Sequence, residues 1–172
     1  MATSREHRLI RHMSAVGVFG ALSFVLTAFC QIPYAGGAGY FNFGDLVNLL
    51  SSIVLGPFEG ALVGILGGTF ADLYSGFGIY APWTMMAKGL MGLISGGLYI
   101  VLKNKRIWRF SSLFIGATFE ILSYMICYYV LYGAGGMISS AFDCVQAYGS
   151  SALVIPLYLA LEKSGITRRL DE

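Results

Sequence analysis

A bundle of six membrane-spanning helices is the fold this sequence predicts, on three observations. Apolar side chains make up 56% of the 172 residues and charged ones only 12%, with a mean hydropathy of +0.71; an average soluble domain carries about 25% charged residues. The apolar residues are gathered into long runs, broken by glycine, proline and short polar patches. At about 20 residues per span, six helices use roughly 120 residues and leave short loops. The prediction is therefore one all-α integral membrane domain over residues 1–172. The same composition excludes a disordered chain, a nucleic-acid-binding protein and most soluble enzymes.

The first helix is the apolar run Leu9–Phe29. It is long for a signal-peptide core and no small-residue cleavage site closes it, so it reads as a retained span. A glycine-rich aromatic stretch, CQIPYAGGAGYFNFG (Cys30–Gly44), follows. The second helix, Asp45–Leu55, is short for a span: either it is tilted or the preceding loop dips into the membrane. Gly56-Pro57 breaks the chain, and Pro57 suits the first turn of a third helix, Phe58–Tyr74. After the loop Ser75–Ala81, Pro82 opens a fourth helix that ends near Leu102 at the polar patch Lys103–Arg106. The fifth helix spans Arg109–Leu131, Gly133–Gly136 form a turn, and the sixth helix covers Ile138–Leu161. Pro156 falls inside that last helix, where it lacks a hydrogen-bond donor and crowds the carbonyl of Ala152, so a kink is expected.

Orientation follows from Lys and Arg. Arg5, Arg8 and Arg11 precede the first helix; Lys103, Lys105, Arg106 and Arg109 lie between the fourth and fifth; Lys163, Arg168 and Arg169 follow the sixth. An even number of spans puts all of these on one side, so both termini are expected to be cytoplasmic. The opposite loops hold no Lys or Arg, and Lys88 alone of the 11 basic residues departs from the rule. Tyr80, Trp83 and Trp108 fit aromatic belts. His7 and His12 fall at the cytoplasmic end, where solvent or headgroups are their expected surroundings.

A charge inside the bilayer is costly, so polar groups there are candidates for function. Lys88 lies about 9 Å below the outer end of its helix, at 1.5 Å per residue from Pro82. Thr84, Lys88 and Gly92 share one face. Lys88 is either a ligand contact or half of an ion pair with Asp72 or Glu120. Glu120 lies mid-helix, with Tyr124 and Tyr128 above it on the same face. A carboxylate below two phenols suits an aromatic, hydrogen-bonding small molecule; the alternative is that Glu120 pairs internally and the tyrosines fill the bundle. Asp143, Gln146 and Ser150 form a polar stripe on the sixth helix, although Asp143 alone is also consistent with a wet membrane surface. Asp72 ends the third helix near the outer surface, as a pair, a loop tie or a ligand contact. In the outer loop Tyr40, Phe41, Asn42, Phe43, Gly44 and Asp45 follow the glycines Gly36, Gly37 and Gly39. These aromatics either cap a pocket or sit at headgroup level, and Asn48 adds an amide one turn on.

Small residues line other faces: Gly60, Gly64, Gly67 and Gly68 on the third helix, Gly89, Gly92, Ser95 and Gly96 on the fourth, Gly17 and Ala21 on the first. They let helices approach closely. Internal packing accounts for the third and fourth helices; on the first, a partner subunit is a second reading. Cys30, Cys127 and Cys144 form no CxxC pair and read as small apolar residues. No GxxxxGK[ST] loop, HExxH or nucleophile–histidine pair is present, so no catalytic residues, metal ligands or cofactor are assigned.

Over nearly its whole length the chain resembles the substrate-binding S components of energy-coupling factor (ECF) vitamin transporters. The segments that carry the resemblance are YFNFGD, LGPFEGALVG, GGTFADLYS, PWTMMAKGLMGLISG and DCVQAYG, in that order. Within the group often labelled riboflavin-type, it looks most like members assigned to hydroxymethylpyrimidine or vitamin B6 compounds. The resemblance implies a pocket built from the loop after the first helix and the outer parts of the fourth, fifth and sixth. A small aromatic vitamin there would stack on Phe43, Trp83 or Tyr124 and meet Lys88, Glu120, Asn42 or Gln146, with Asn48, Thr84, Tyr128 and Asp143 in the same set. It also implies a membrane-embedded coupling subunit (the T component), contacted through small residues of the first helix, with Gly17 and Ala21 as the match. Two ABC-type ATPases would supply energy, and the S component would topple in the cell membrane to carry its ligand inward. The competing readings are a self-sufficient ion-coupled carrier or channel using Lys88, Glu120 and Asp72, and an S component for riboflavin or another vitamin.

Overall fold

The computed structural model describes residues 4–34, 39–105 and 107–165. Expectations placed on Gly36, Gly37, Arg106, Arg168 and Arg169, and on the side chains of Arg5, Arg8 and Tyr40, lie outside the described residues. The described residues form six α-helices: α1 (Ser4–Phe29), α2 (Gly44–Val54), α3 (Pro57–Tyr74), α4 (Ala81–Leu102), α5 (Ser111–Tyr132) and α6 (Ser140–Ser164). The outer stretch after α1 is not plain loop. Strands β1 (Ile32–Tyr34) and β2 (Gly39–Phe41) pair antiparallel, with Ile32 opposite Phe41 and Tyr34 opposite Gly39.

The helix boundaries have local causes. Gly56 sits at φ 129°, ψ 169°, a region closed to side-chain-bearing residues, and Pro57 follows in the first turn of α3. Before α5 the chain forms a 3-10 turn, Trp108–Phe110, so the helix proper opens at Ser111 rather than Arg109. The hydroxyls of Ser111 and Ser112 donate to the carbonyls of Trp108 and Arg109, at 2.7 Å each, and satisfy that turn. The expected turn at Gly133–Gly136 is a 3-10 turn over Ala134–Ser139, which delays α6 to Ser140. Pro156 lies within α6.

Among the described residues, four segments are long and apolar enough to cross a bilayer: Leu9–Phe29, Ala81–Leu102, Trp108–Tyr132 and Ala134–Ser164. At 11 residues α2 is shorter than a span. It packs inside the bundle against α3, α4 and α6, while α3 sits between α1 and α4. Glycine makes these crossings close. A Cβ on Gly92 would stand 2.5 Å from the Ala61 backbone nitrogen, and one on Gly96 would stand 2.6 Å from the Ser52 carbonyl. Gly60, Gly64, Gly92 and Gly96 thus serve internal packing, as their pattern predicts.

The two halves of the bundle differ. Leu49, Ile53, Met91, Leu113, Val154 and Tyr158 form the apolar core, which reaches the end where Arg109 pairs with Glu162 at 3.1 Å. Outward-facing positions such as Met13, Val18, Phe58, Val101 and Val145 are apolar and exposed, as a lipid solvent requires. His12 departs from expectation: it is half-buried, and its Nδ1 bonds Glu59 Oε1 at 3.0 Å, tying α1 to α3. The buried charges are concentrated in the other half of the bundle.

Candidate functional site

The site grows from the turn before α2. Asn42 accepts from the Gly44 N–H at 2.8 Å through its side-chain oxygen, an Asx turn that delivers the chain into the helix. The Thr27 hydroxyl donates to the same oxygen at 3.4 Å. Gly44 leaves the necessary room, since a Cβ there would fall 2.9 Å from that oxygen. Asp45 follows in the first turn, where a carboxylate suits the positive end of the helix. It is completely buried.

Gln146 on α6 joins this turn to the bundle. Its Oε1 accepts from the Asn42 backbone N–H at 2.9 Å and from the Asn42 amide at 3.3 Å. Its Nε2 donates to Asp45 Oδ2 at 2.6 Å. Phe41 and Phe142 add an edge-to-face ring contact at 6.5 Å, so the hairpin is fastened to α6 by both polar and aromatic contacts.

Lys88 occupies the centre. Its ammonium pairs with Asp45 Oδ1 on α2 and Glu120 Oε1 on α5. Lys88 is 6% exposed and Glu120 2%. The ammonium also stands 5.7 Å from the centre of the Tyr124 ring. An isolated charge at this depth would cost about 3 kcal/mol or more; two carboxylates offset that cost. Asn48 donates to the Lys88 carbonyl at 3.1 Å, and Gly64 leaves space for its amide, with a Cβ there only 2.6 Å from Asn48 Cγ. Asn48 thereby fixes α2 against α4 at the level of the lysine.

A second cluster lies further out. The Thr84 hydroxyl bonds Asp72 and meets the Tyr124 hydroxyl at 2.8 Å. Tyr124 and Tyr128 stack at 6.2 Å with their planes 23° apart. The Tyr128 hydroxyl donates to Asp143 Oδ1 at 3.4 Å. Tyr80 packs edge-on against Tyr128 at 6.2 Å and joins its hydroxyl to that of Tyr132 at 2.7 Å.

Nine of the sequence-predicted residues are therefore joined in one region: Asn42, Asn48, Thr84, Lys88, Glu120, Tyr124, Tyr128, Asp143 and Gln146. Phe43 is 42% exposed and Trp83 is partly buried, and no hydrogen bond joins either side chain to the network. Of the two partners expected for Lys88, Glu120 is one; Asp72 instead engages Thr84. Thr84 is one helical turn further out than Lys88, level with the end of α3. Sequence reasoning missed Asp45 as a site residue. Its signal was its place in YFNFGD, directly after the aromatic loop and on the first turn of a helix too short to span. Gly17 lies apart from the site on the open face of α1. Among the described residues no cluster of three or more Asp, Glu, His or Cys side chains is arranged to hold a metal.

A multi-spanning helical bundle that gathers a buried polar and aromatic cluster in one half has the plan of a substrate-binding transport subunit, not of an enzyme. The chain belongs to the family described as the ECF-type riboflavin transporter S component, whose profile matches residues 8–163. It is a substrate-binding S component of an ECF transporter and a multi-pass membrane protein. The solved S component of a bacterial ECF transporter superposes with a TM-score of 0.71 and 25% identity, over 93% of this chain and 98% of that one. An uncharacterized protein of the gap 3′ region of Pyrococcus woesei is 32% identical over 128 residues, 72% of this chain and 82% of the relative. A UPF0397 protein of Streptococcus pneumoniae is 36% identical over 87 residues, 51% of this chain. That match spans 47% of the streptococcal protein's length.

Proposed function

We propose that this S component captures a small aromatic vitamin or precursor, hydroxymethylpyrimidine or a vitamin B6 compound, outside the cell and delivers it inward within an ATP-driven ECF transporter. The observation that carries the reading is the Lys88–Glu120–Asp45 cluster beside the stacked Tyr124 and Tyr128. Aromatic faces supply burial area for a planar ring, and a few fixed polar groups orient its substituents. Asn42, Thr84, Asp143 and Gln146 complete the polar lining; Phe43 and Trp83 are the further stacking surfaces. Energy comes from two partner ATPases through a membrane-embedded T component that docks on α1 at Gly17 and Ala21, and the S component topples to carry the pocket inward.

Riboflavin is the second reading, favoured by the description of the family. Acid extraction of the detergent-purified chain followed by mass spectrometry separates the two. A pyrimidine or pyridine vitamin at near-equal molar ratio is the expected result. A flavin in the extract, visible as yellow protein, overturns the small-ring reading in favour of riboflavin. Uptake into liposomes driven by an ion gradient, with no partner subunit, would instead establish a self-sufficient carrier and sink the ECF mechanism for this chain.

A further inference from the structure

The buried cluster carries more carboxyl groups than cations, and we propose that the ligand makes up the difference: the site selects a small aromatic heterocycle bearing a protonated amino substituent, bound between Glu120 and Asp143. The proposal rests on the capture reading above and narrows its substrate class. Three carboxyl groups, on Asp45, Glu120 and Asp143, lie within electrostatic reach of one another, and Lys88 is the cation they share. Asp72 adds a fourth carboxyl one turn further out, at Thr84. No other cation is near in sequence terms: Lys88 is the sole Lys or Arg between Arg11 and Lys103, and none lies between Arg109 and Lys163.

The carboxyl groups are also unequally satisfied. Both Asp45 oxygens are engaged, one by Lys88 and one by Gln146. Glu120 gives one oxygen to Lys88, while its Oε2 is buried and meets no hydrogen-bond partner among the described residues. Asp143 accepts from Tyr128 through Oδ1, and its Oδ2 is likewise buried without a partner among the described residues. A buried carboxyl oxygen without a hydrogen-bond partner is unfavourable, and a cationic N–H supplies both a bond and a compensating charge. Tyr124, whose ring already faces the Lys88 ammonium at 5.7 Å, stacks on Tyr128, whose hydroxyl bonds Asp143, and an aromatic face attracts a cation as well as a planar ring. The carboxyl groups are not arranged as a metal site among the described residues, which favours an organic cation over an inorganic one.

The test uses matched ligand pairs that differ only by an aminomethyl or a hydroxymethyl group on the same ring: pyridoxamine against pyridoxine, and aminomethylpyrimidine against hydroxymethylpyrimidine. Both members of a pair donate a hydrogen bond, but at pH 7 only the first adds a positive charge. Calorimetric titration of the purified chain in detergent should show the aminomethyl member binding at least about tenfold tighter, the order expected for a charge-assisted over a neutral bond. In Glu120→Gln, which keeps the shape of the side chain, that ratio should fall towards one. Equal or tighter binding of the hydroxymethyl member overturns the charge proposal and leaves vitamin capture standing. If no member of either pair binds, the small-ring reading fails and this proposal fails with it.

Discussion

Lys88 on α4 and Asp45 on α2 form a buried ion pair across 43 residues of sequence, and Glu120 on α5 closes the triad. Three helices are thus locked at one level by a single ammonium. Removing one partner of a buried pair leaves uncompensated charge and costs about 3–5 kcal/mol. Lys88→Met should lower the melting temperature in detergent by roughly 10 °C. Adding Glu120→Gln should restore part of that loss, because the two residues share one interaction. An unchanged melt in the single variant would show that the triad does not hold the bundle together.

Gln146 accepts from the outer turn and donates to Asp45, so it links the hairpin, α2 and α6. Gln146→Ala leaves the Asn42 N–H and one Asp45 oxygen without these partners, at about 1–3 kcal/mol for the group left unsatisfied. Ligand affinity should fall by about tenfold or more in titration. Glu120→Ala should weaken binding likewise, and both variants should still co-purify with the coupling subunit. Normal affinity in both would place the ligand elsewhere.

Gly92 tests the packing. A side chain there meets the backbone of Gly60 and Ala61 on α3, which cannot yield as a flexible side chain would. Overpacking of this kind costs about 1–3 kcal/mol, and more where backbone must move. Gly92→Leu should sharply reduce the yield of monodisperse protein on size exclusion, whereas Gly97→Leu, with nothing within 4 Å of the added Cβ, should behave as the parent. Equal yields would mean that the α3–α4 approach is not fixed by glycine.

The six helices were legible because composition, breakers and basic flanks act locally. The Glu120, Tyr124 and Tyr128 face was legible because helical periodicity alone aligns those residues. Asp45 was not, since its role depends on how α2 docks against α4, through Asn48 and the gap at Gly64. The His12–Glu59 bond joins residues 47 apart and has no local signature. The hairpin of Ile32–Tyr34 and Gly39–Phe41 was read as loop: each strand is three residues long and β1 contains a proline, so no alternating pattern announces it.

The open face of α1 allows capture to be tested apart from assembly. A Cβ added at Gly17 has nothing within 4 Å, and Ala21 is exposed on the same helix. Both border an apolar groove of about 510 Å³ between α1 and α3, completed by Gly20, Phe24, Leu66, Phe70 and Tyr74. A bulky residue there should fold without strain and leave the polar cluster untouched. It should nevertheless block a neighbouring helix that needs close approach, since such contacts depend on small side chains. Gly17→Trp and Ala21→Trp should therefore bind ligand as the parent chain does, yet fail to co-purify with the coupling subunit and its ATPases. Full co-purification of both variants would remove this face of α1 from the interface. Loss of ligand binding together with assembly would mean instead that the groove and the polar cluster are coupled through α3.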